Sequence, residues 1–146
     1  MHYVIEQIHD GYLQREIIQE CDDAFADSVV NRNGFDALAD KIRNNGIFLV
    51  IRVDNETAGY AALYANDGEN KTAYISLICI KRPFQKMHLG KSLIEECCKV
   101  AKRSGMTTIR LEVNKKNLHA IQFYQADGFE KEAEDSEATF YMRKEL

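Results

Sequence analysis

The apolar residues of the chain change their spacing at residue 89, and this change restricts the folds that the chain can adopt. Before it they form short, β-rich runs such as Ala73–Ile80. From Leu89 onward they recur at helical spacing, with Leu93 and Cys97 on the same face. The pattern predicts a strand that ends at Ile80, then a loop, then an amphipathic helix.

Strand and helix signals also fill the rest of the chain. Alternating apolar residues and turn residues predict the element order β-α-α-β-β-β-α-β-α-β-β. Antiparallel hairpins come first, and a strand–helix–strand crossover lies in the middle, so we expect a mixed α/β sandwich around one sheet. The predicted strands are 4–8, 47–51, 58–64, 73–80, 109–113, 129–133 and 139–143, the helices are 13–21, 35–43, 89–103 and 117–126, and an acidic turn covers 134–137.

Length and composition predict a single domain over residues 1–146. One proline, no repeat and no low-complexity segment leave no sign of a linker. The longest apolar run, near 74–80, is far shorter than the roughly 20 residues that a membrane helix needs. The first residues lack the basic and then apolar layout of a signal peptide, so we expect a cytoplasmic protein. The four cysteines form no CxxC pair and no histidine cluster lies near them, so we expect reduced thiols and no metal.

Charge is distributed unevenly along the chain. Residues 1–70 contain 13 acidic and 5 basic side chains, whereas residues 71–146 contain 10 acidic and 14 basic ones. The net charge of −4 argues against nucleic acid as the main partner. Within the second half, one basic run is either a solvated face or part of a phosphate loop. That run comprises Lys81, Arg82, Lys86, His88 and Lys91.

The loop between the predicted strand and helix has the properties of an anion site. A helix N-terminus presents free N–H groups and the positive end of the helix dipole, and the nearby Lys and Arg side chains add charge. The loop therefore predicts a site for pyrophosphate or a similar group. Gly90-Lys91-Ser92 matches the end of a nucleotide P-loop, but that motif needs glycine at position 85, where this chain has Gln85. We therefore do not expect an NTPase.

Two segments resemble a known enzyme family. The loop Gln85–Gly90 resembles the (Arg/Gln)-x-x-Gly-x-(Gly/Ala) loop of the GNAT acetyltransferases. The stretch Leu111–Phe129, LEVNKKNLHAIQFYQADGF, resembles the LEV…N…AI…FY…GF segment of that family and is the stronger match. Gly59–Tyr60 in the third predicted strand and the order of the elements also agree. The resemblance covers nearly the whole chain and is clearest over 47–129.

One residue departs from the family pattern. His88 occupies a position where the family usually has glycine, which lets the backbone approach the cofactor closely. Two interpretations remain open for His88: a tolerated surface residue, or an imidazole that itself meets a phosphate.

The resemblance implies a GNAT-type fold, with a mixed, mostly antiparallel central sheet flanked by helices on both faces. It also implies an acetyl-CoA-dependent N-acetyltransferase, with acetyl-CoA as co-substrate and no metal. Pantetheine would lie between the strand ending at Ile80 and the strand containing Glu112, and would pair with the backbone of Ile78 and Ile80. The implied cofactor-binding residues are Ile78, Cys79, Ile80, Gln85, Lys86, Met87, His88, Leu89, Gly90, Lys91, Asn117 and Tyr124.

The resemblance further implies two catalytic residues. An alkylamine with a pKa of about 10.4 must lose a proton before it attacks, and we expect Glu112 to accept it, directly or through a water. Tyr124, which follows 12 residues later, would protonate or hydrogen-bond the departing CoA thiolate. The alternatives are that Glu112 is only a solvated carboxylate and Tyr124 only a packing aromatic. Cys79 is not favoured as an acyl nucleophile, because no base lies at a recognisable spacing.

The sequence does not identify the acceptor amine. The implied reaction is direct attack of a small-molecule or peptide primary amine on the thioester in a ternary complex. The acidic first half favours a cationic acceptor, since the early helices form the acceptor side in this family. We expect no nucleic-acid or membrane partner, and a monomer or homodimer. The alternative function is a non-catalytic acyl-CoA-binding sensor or docking module of the same fold, which only His88 favours.

Overall fold

The elements of the fold follow the predicted order. A computed structural model of the protein describes residues 2–134 and 136–146, and within them lie seven strands and four α-helices. Position 135 of the predicted acidic turn lies outside the described residues. The elements are β1 Tyr3–Gln7, α1 Gly11–Glu20, α2 Phe35–Asn45, β2 Ile47–Val53, β3 Glu56–Tyr64, β4 Thr72–Ile80, α3 Leu89–Arg103, β5 Thr108–Asn114, α4 Leu118–Ala126, β6 Glu130–Glu134 and β7 Thr139–Glu145.

The strands form one mixed sheet in the order β1-β2-β3-β4-β5-β7-β6. Every neighbouring pair is antiparallel except β4 and β5, which are parallel and are joined through α3. The predicted fold class, a mostly antiparallel central sheet with helices on both faces, is confirmed. None of the helices in the described ranges has the length and apolar character needed to cross a bilayer.

Two apolar clusters lie on opposite faces of the sheet. On one face, which we call the α3 face, the buried side of α3 packs against residues of five strands, including Leu111 of β5 and Phe140 of β7. On the other, the α1 face, helices α1 and α2 cover Phe48, Tyr60 and Leu77 of β2, β3 and β4. The α1-face cluster has no member from β5 or β7 within the described residues. On that face, α1 and α2 therefore do not cover the polar side chains of β5 and β7.

A bulge in β4 shifts its side chains from one face to the other. Ala62 of β3 pairs with Leu77, but the next residue, Leu63, pairs with Ile75, so Ser76 is the extra residue. Accordingly Ile75 belongs to the α3-face cluster and Leu77 to the α1-face cluster. The pairing of β4 with β5 runs only as far as Ile75, so the bulge lies where the two strands part.

Short-range contacts explain where the predicted element boundaries were wrong. Helix α1 begins two residues before the predicted start, because the Asp10 carboxylate accepts hydrogen bonds from the backbone N–H groups of Tyr12 (2.8 Å) and Leu13 (3.2 Å). Two short 3-10 helices, Asp22–Ala24 and Arg82–Phe84, were not predicted. Three residues are too few to show a hydrophobic period.

Candidate active site

The separation of β4 from β5 creates the centre of the site. The two strands pair from Thr72 and Thr108 to Ile75 and Leu111. Beyond that point β4 continues to Ile80 alongside β3, and β5 continues alongside β7. The edge of β4 that faces the gap therefore has no strand partner among the described residues after Ile75. An extended ligand can add to such an edge through main-chain hydrogen bonds.

A cavity of about 680 Å³ opens beside this gap. It lies between the end of β4, the loop that follows, the start of α3, helix α4 and the segment after α1. Of the predicted cofactor-binding residues, only Met87, with 41% of its surface exposed, is not part of its wall within the described chain. The predicted residues that line the cavity are Ile78, Cys79, Ile80, Gln85, Lys86, His88, Leu89, Gly90, Lys91, Asn117 and Tyr124.

Two residues of the loop before α3 have a left-handed backbone conformation. Lys86 (φ +68°) and His88 (φ +61°) are both left-handed, and Met87 lies between them. Left-handed residues in a turn can direct neighbouring N–H groups toward one concavity, and such concavities bind anions. The first turn of α3, from Leu89, contains no acidic residue that would compete for these groups. The left-handed φ of His88 also explains why the family prefers glycine at this position.

Two further contacts hold the loop and α4 around the cavity. The Gln85 side-chain amide (Nε2) donates a hydrogen bond to the Ile80 carbonyl at 2.9 Å, which ties the loop to the end of β4. At the other wall, the Asn117 side-chain oxygen (Oδ1) accepts the Ala120 N–H at 3.1 Å and caps α4. A Cβ on Gly90 would lie 3.4 Å from the ring of Phe123, so α3 and α4 approach closely at this glycine.

Tyr124 lines the cavity from α4. Its ring packs against the rings of Phe123 and Phe129, with centroid distances of 5.4 and 5.7 Å. Burial, with a smaller contribution from the nearby Cys97 thiol, raises the pKa of Tyr124 to about 12. The hydroxyl is therefore protonated at neutral pH and can act as a proton donor.

Glu112 lies outside this cavity. Its neighbours Leu111 and Val113 belong to the α3-face cluster, so the alternation of β5 places Glu112 on the α1 face. Its carboxylate oxygen Oε2 accepts a hydrogen bond from the Thr139 hydroxyl at 2.7 Å. The structure thus brings Tyr124 and the cofactor loop into one cavity and places Glu112 across the gap, on the opposite face of the sheet.

The wall formed by Ala24, Phe25 and Ala26 was missed by the sequence analysis. These residues form the end of the first 3-10 helix and the bend after it, and they line the cavity opposite α4. Asp22 anchors the segment, because its carboxylate accepts hydrogen bonds from the Ser28 hydroxyl at 2.6 Å and from a backbone N–H at 2.7 Å. Burial alone would raise the pKa of Asp22, but these bonds lower it overall. No periodic signal marks such a segment, whose position depends on contacts six or seven residues away.

The aromatic floor behind this wall contains one unpaired hydroxyl. The Tyr60 ring is fully buried and stacks on Phe48 at 5.2 Å, with Phe25 at 6.4 Å in an edge contact. Its hydroxyl has no hydrogen-bond partner among the described residues. Burial raises the pKa of Tyr60 far above its usual range, so its hydroxyl stays protonated.

Cys79 lines the cavity but is not an activated nucleophile. A hydrogen bond with Cys21, together with burial, raises the pKa of Cys79 well above that of an ordinary thiol. A protonated thiol is a poor nucleophile, which agrees with the sequence argument against an acyl-cysteine intermediate. Among residues 2–134 and 136–146, no three His, Cys, Asp or Glu side chains are grouped so that they could hold a metal.

A mixed sheet that parts between two parallel strands, with a helix N-terminus beside the gap, is the architecture expected of the acetyltransferases that the sequence resembles. The chain belongs to the GNAT family: the family model described as "Acetyltransferase (GNAT) family" matches residues 6–129. The predicted family and the predicted enzyme class, an acyltransferase, are thereby confirmed.

Individual relatives agree with this assignment. The uncharacterized N-acetyltransferase YvbK of Bacillus subtilis (strain 168) is 26% identical over 131 residues, which cover 90% of this chain and 82% of the relative. The PaiA N-acetyltransferase from Thermoplasma acidophilum, solved with coenzyme A, has a TM-score of 0.82 and 20% identity, and the match covers 100% of both chains. A Bacillus anthracis str. Ames structure with acetyl coenzyme A has a TM-score of 0.79 and 22% identity, covering 100% of this chain and 99% of the other. The structural matches confirm the GNAT-type fold.

Proposed function

We propose that this enzyme transfers an acetyl group from acetyl-CoA to a primary amine, by direct attack of the amine on the thioester in a ternary complex. The observation that carries the proposal is the continuous cavity that joins the loop before α3 to the open edge of β4. The combination suits a ligand with a diphosphate at one end and an amide-containing arm at the other.

The residues of the cavity fit the parts of acetyl-CoA. The N–H groups of residues 85–91, with Lys86 and Lys91 nearby, would bind the pyrophosphate. The backbone of Ile78 and Ile80 would pair with the pantetheine amides, and the Ile80 N–H would donate to the thioester carbonyl oxygen. Bound in this way, acetyl-CoA supplies an activated acetyl group at the gap between β4 and β5.

Glu112 would act as the general base and Tyr124 as the general acid, from opposite sides of the gap. An alkylammonium group with a pKa of about 10.4 must lose a proton, and Glu112 accepts it from the α1 face. The amine nitrogen then forms a bond to the thioester carbon as the carbon–sulfur bond breaks. Tyr124 donates its hydroxyl proton to the leaving sulfur from the α4 side, and the second proton that the nitrogen loses on forming the amide passes through water to restore the Tyr124 hydroxyl. Because the two groups lie on different faces of the sheet, the base and the acid do not neutralise each other.

The acceptor would approach over the α1 face. The apolar wall at Ala24–Ala26 borders that side of the cavity, and Glu112 lies on the same face. Residues 1–70, which form α1, α2 and that wall, contain 13 acidic and only 5 basic side chains. A cationic small-molecule or peptide amine fits this charge.

A thiol-release assay with purified protein tests the proposal. Acetyl-CoA is mixed with spermidine, lysine, a peptide with a free N-terminus and an amino sugar, and free CoA thiol is measured. We expect at least one amine to release thiol at a rate that saturates with both substrates. If acetyl-CoA raises the melting temperature but no amine releases thiol, the non-catalytic acyl-CoA-binding function replaces this proposal.

The Glu112→Gln variant tests the base. We expect its pH–rate profile to move toward high pH, where the amine is already neutral, because the amide accepts no proton. Glu130→Gln, which changes an exposed carboxylate on β6, is the matched control and should keep the wild-type profile. An unaltered profile for Glu112→Gln would remove Glu112 from the mechanism.

A further inference from the structure

We propose that Thr139 is a positioning residue for the catalytic base, holding the Glu112 carboxylate in place through its hydroxyl. The inference rests on the proposed role of Glu112. It starts from a hydrogen bond of 2.7 Å, which the Thr139 hydroxyl (Oγ1) donates to Glu112 Oε2. A distance of 2.7 Å is typical of a hydroxyl that donates to an ionised carboxylate.

The register of the sheet places the two side chains together. β7 pairs antiparallel with β5, so that Thr139 lies opposite Asn114 and Tyr141 lies opposite Glu112. Thr139 is thus a diagonal neighbour of Glu112, at a separation that side chains on one face can span. Phe140 and Met142 belong to the α3-face cluster, so the alternation of β7 puts Thr139 on the α1 face with Glu112.

A second hydroxyl fixes the direction of this hydrogen bond. Ser136 Oγ lies 3.2 Å from Thr139 Oγ1, and it also accepts the backbone N–H groups of Ala138 (3.1 Å) and Thr139 (3.2 Å). A threonine hydroxyl has one hydrogen, and an ionised carboxylate can only accept. Because that hydrogen goes to Glu112, the Ser136 hydroxyl must donate to Thr139. The result is a chain of donors, Ser136 to Thr139 to Glu112.

The chain of donors has two consequences for the base. It restricts the rotation of a carboxylate that is otherwise exposed at the edge of the gap. It also stabilises the ionised form, the form that accepts a proton, because a hydrogen bond to the charged state lowers the pKa of an acid. Donors linked in series polarise one another, which strengthens the bond that reaches Glu112.

Other polar groups on the α1 face would act on Glu112 whether or not Thr139 is changed. They lie on β4, β5, β6 and β7, and the variants below leave all of them in place. A change in the titration of Glu112 can therefore be assigned to the Thr139 hydroxyl. These groups are Tyr74, Arg110, Glu130, Glu132, Tyr141 and Arg143.

The test compares Thr139→Val, which keeps the branched shape, with Thr139→Ser, which keeps the hydroxyl. For acetyl transfer, the acidic limb of the kcat/KM profile should move up by about one pH unit in Thr139→Val, so that kcat/KM below the limb falls about tenfold. Thr139→Ser should keep the wild-type profile, and both variants should keep the KM for acetyl-CoA. Thr72→Val is the matched control, because the Thr72 hydroxyl donates to the Asn70 carbonyl far from Glu112.

A double variant and a direct titration make the result decisive. Thr139→Val should cause no further loss in the Glu112→Gln background, because a residue that acts through Glu112 has nothing left to position. NMR of protein with carboxyl-labelled glutamate should show a higher pKa for Glu112 in Thr139→Val than in the wild type. This titration detects the hydrogen bond between Thr139 and Glu112 independently of catalysis. It therefore still tests the proposed role of Thr139 if acetyl transfer is not observed.

Each contrary result has its own meaning. The inference is overturned if Thr139→Val leaves both the pH profile and the Glu112 titration unchanged. It is also overturned if Thr139→Ser loses as much activity as Thr139→Val while both melt early, which would show a purely structural role. If Glu112→Gln leaves the profile unaltered while the titration still depends on Thr139, the contact exists but the proposed base is wrong.

Discussion

Tyr124 keeps its proton over the whole range in which the enzyme would work. Burial between Phe123 and Phe129 raises its pKa to about 12, so deprotonation begins only as the pH approaches that value. A donor with this pKa does not limit the rate at neutral pH through its own ionisation. Ionisation of Tyr124 should accordingly cause no decline of the pH–rate profile until the pH nears about 12.

Replacing Tyr124 with Phe should lower turnover by about 10²-fold, a typical effect of losing a general acid, while the affinity for acetyl-CoA stays the same. The ring that packs against Phe129 remains, so the cavity keeps its shape. Steady-state kinetics and calorimetry measure the two quantities separately. Tyr12→Phe, at a position that is 74% exposed on α1, is the control and should behave as wild type. Unchanged turnover in Tyr124→Phe would leave the residue with a packing role only.

His88 holds a backbone conformation that costs most residues about 1 kcal/mol or more. Its φ is +61°, in the left-handed region, where histidine occurs more often than β-branched residues do. We expect His88→Gly to change the free energy of unfolding by less than about 1 kcal/mol, since relief of this strain offsets the entropy of glycine. His88→Val should destabilise clearly more.

The same pair of variants separates the two interpretations of His88. Calorimetry should find that His88→Gly binds acetyl-CoA as wild type does, because the backbone N–H groups of residues 85–91, and not the imidazole, would hold the phosphates. A loss of affinity of tenfold or more would instead show that the imidazole contacts a phosphate directly.

At the scale of the elements, the end of β4 depends on one glycine in β3. Gly59 lies opposite Ile80, and a Cβ at this position would lie 2.2 Å from the Cys79 carbonyl oxygen. No side chain can be accommodated there unless β3 and β4 move apart. The position of Ile78 and Ile80, which would pair with the cofactor, therefore depends on this contact.

Gly59→Ala should lower the free energy of unfolding by about 1–3 kcal/mol and weaken acetyl-CoA binding, because it displaces the edge of β4. Chemical denaturation and calorimetry measure the two effects. Gly68→Ala is the matched control: a Cβ there meets nothing within 4 Å, so stability and affinity should both remain as in the wild type. Equal behaviour of the two variants would mean that β3 and β4 adjust without cost.

The order of the elements was predictable, because hydrophobic period and turn residues are local signals. The α3 helix illustrates this: its predicted and observed bounds agree, because Leu89, Leu93 and Cys97 repeat on one face. The bulge at Ser76 was not predictable, since it is a relation between β3 and β4 and leaves no mark in β4 alone. The start of α1 was missed for a different reason. It is set by the side chain of Asp10, which is polar and does not contribute to the apolar period used to predict the helix.

At the scale of the whole molecule, binding of acetyl-CoA should join parts that are far apart in the chain. A ligand that binds only the folded state at about 100 times its Kd adds about 2.7 kcal/mol to the free energy of unfolding. We expect acetyl-CoA to raise the melting temperature and to slow hydrogen exchange at β4, the loop 81–88 and α4. Adenosine, which lacks the diphosphate and pantetheine, is the control ligand. Protection centred on β1 or α2 would contradict the assigned cavity.

Sequence alone determined the element order, the amphipathic face of α3 and the basic composition of the loop 85–91, because each depends on residues close together in the chain. Tertiary structure alone decided that β4 parts from β5 at Ser76, that Ala24–Ala26 form a wall of the cavity, and that Glu112 contacts Thr139, 27 residues away. These contacts depend on strand register and on packing between distant segments, which no local pattern of residues encodes.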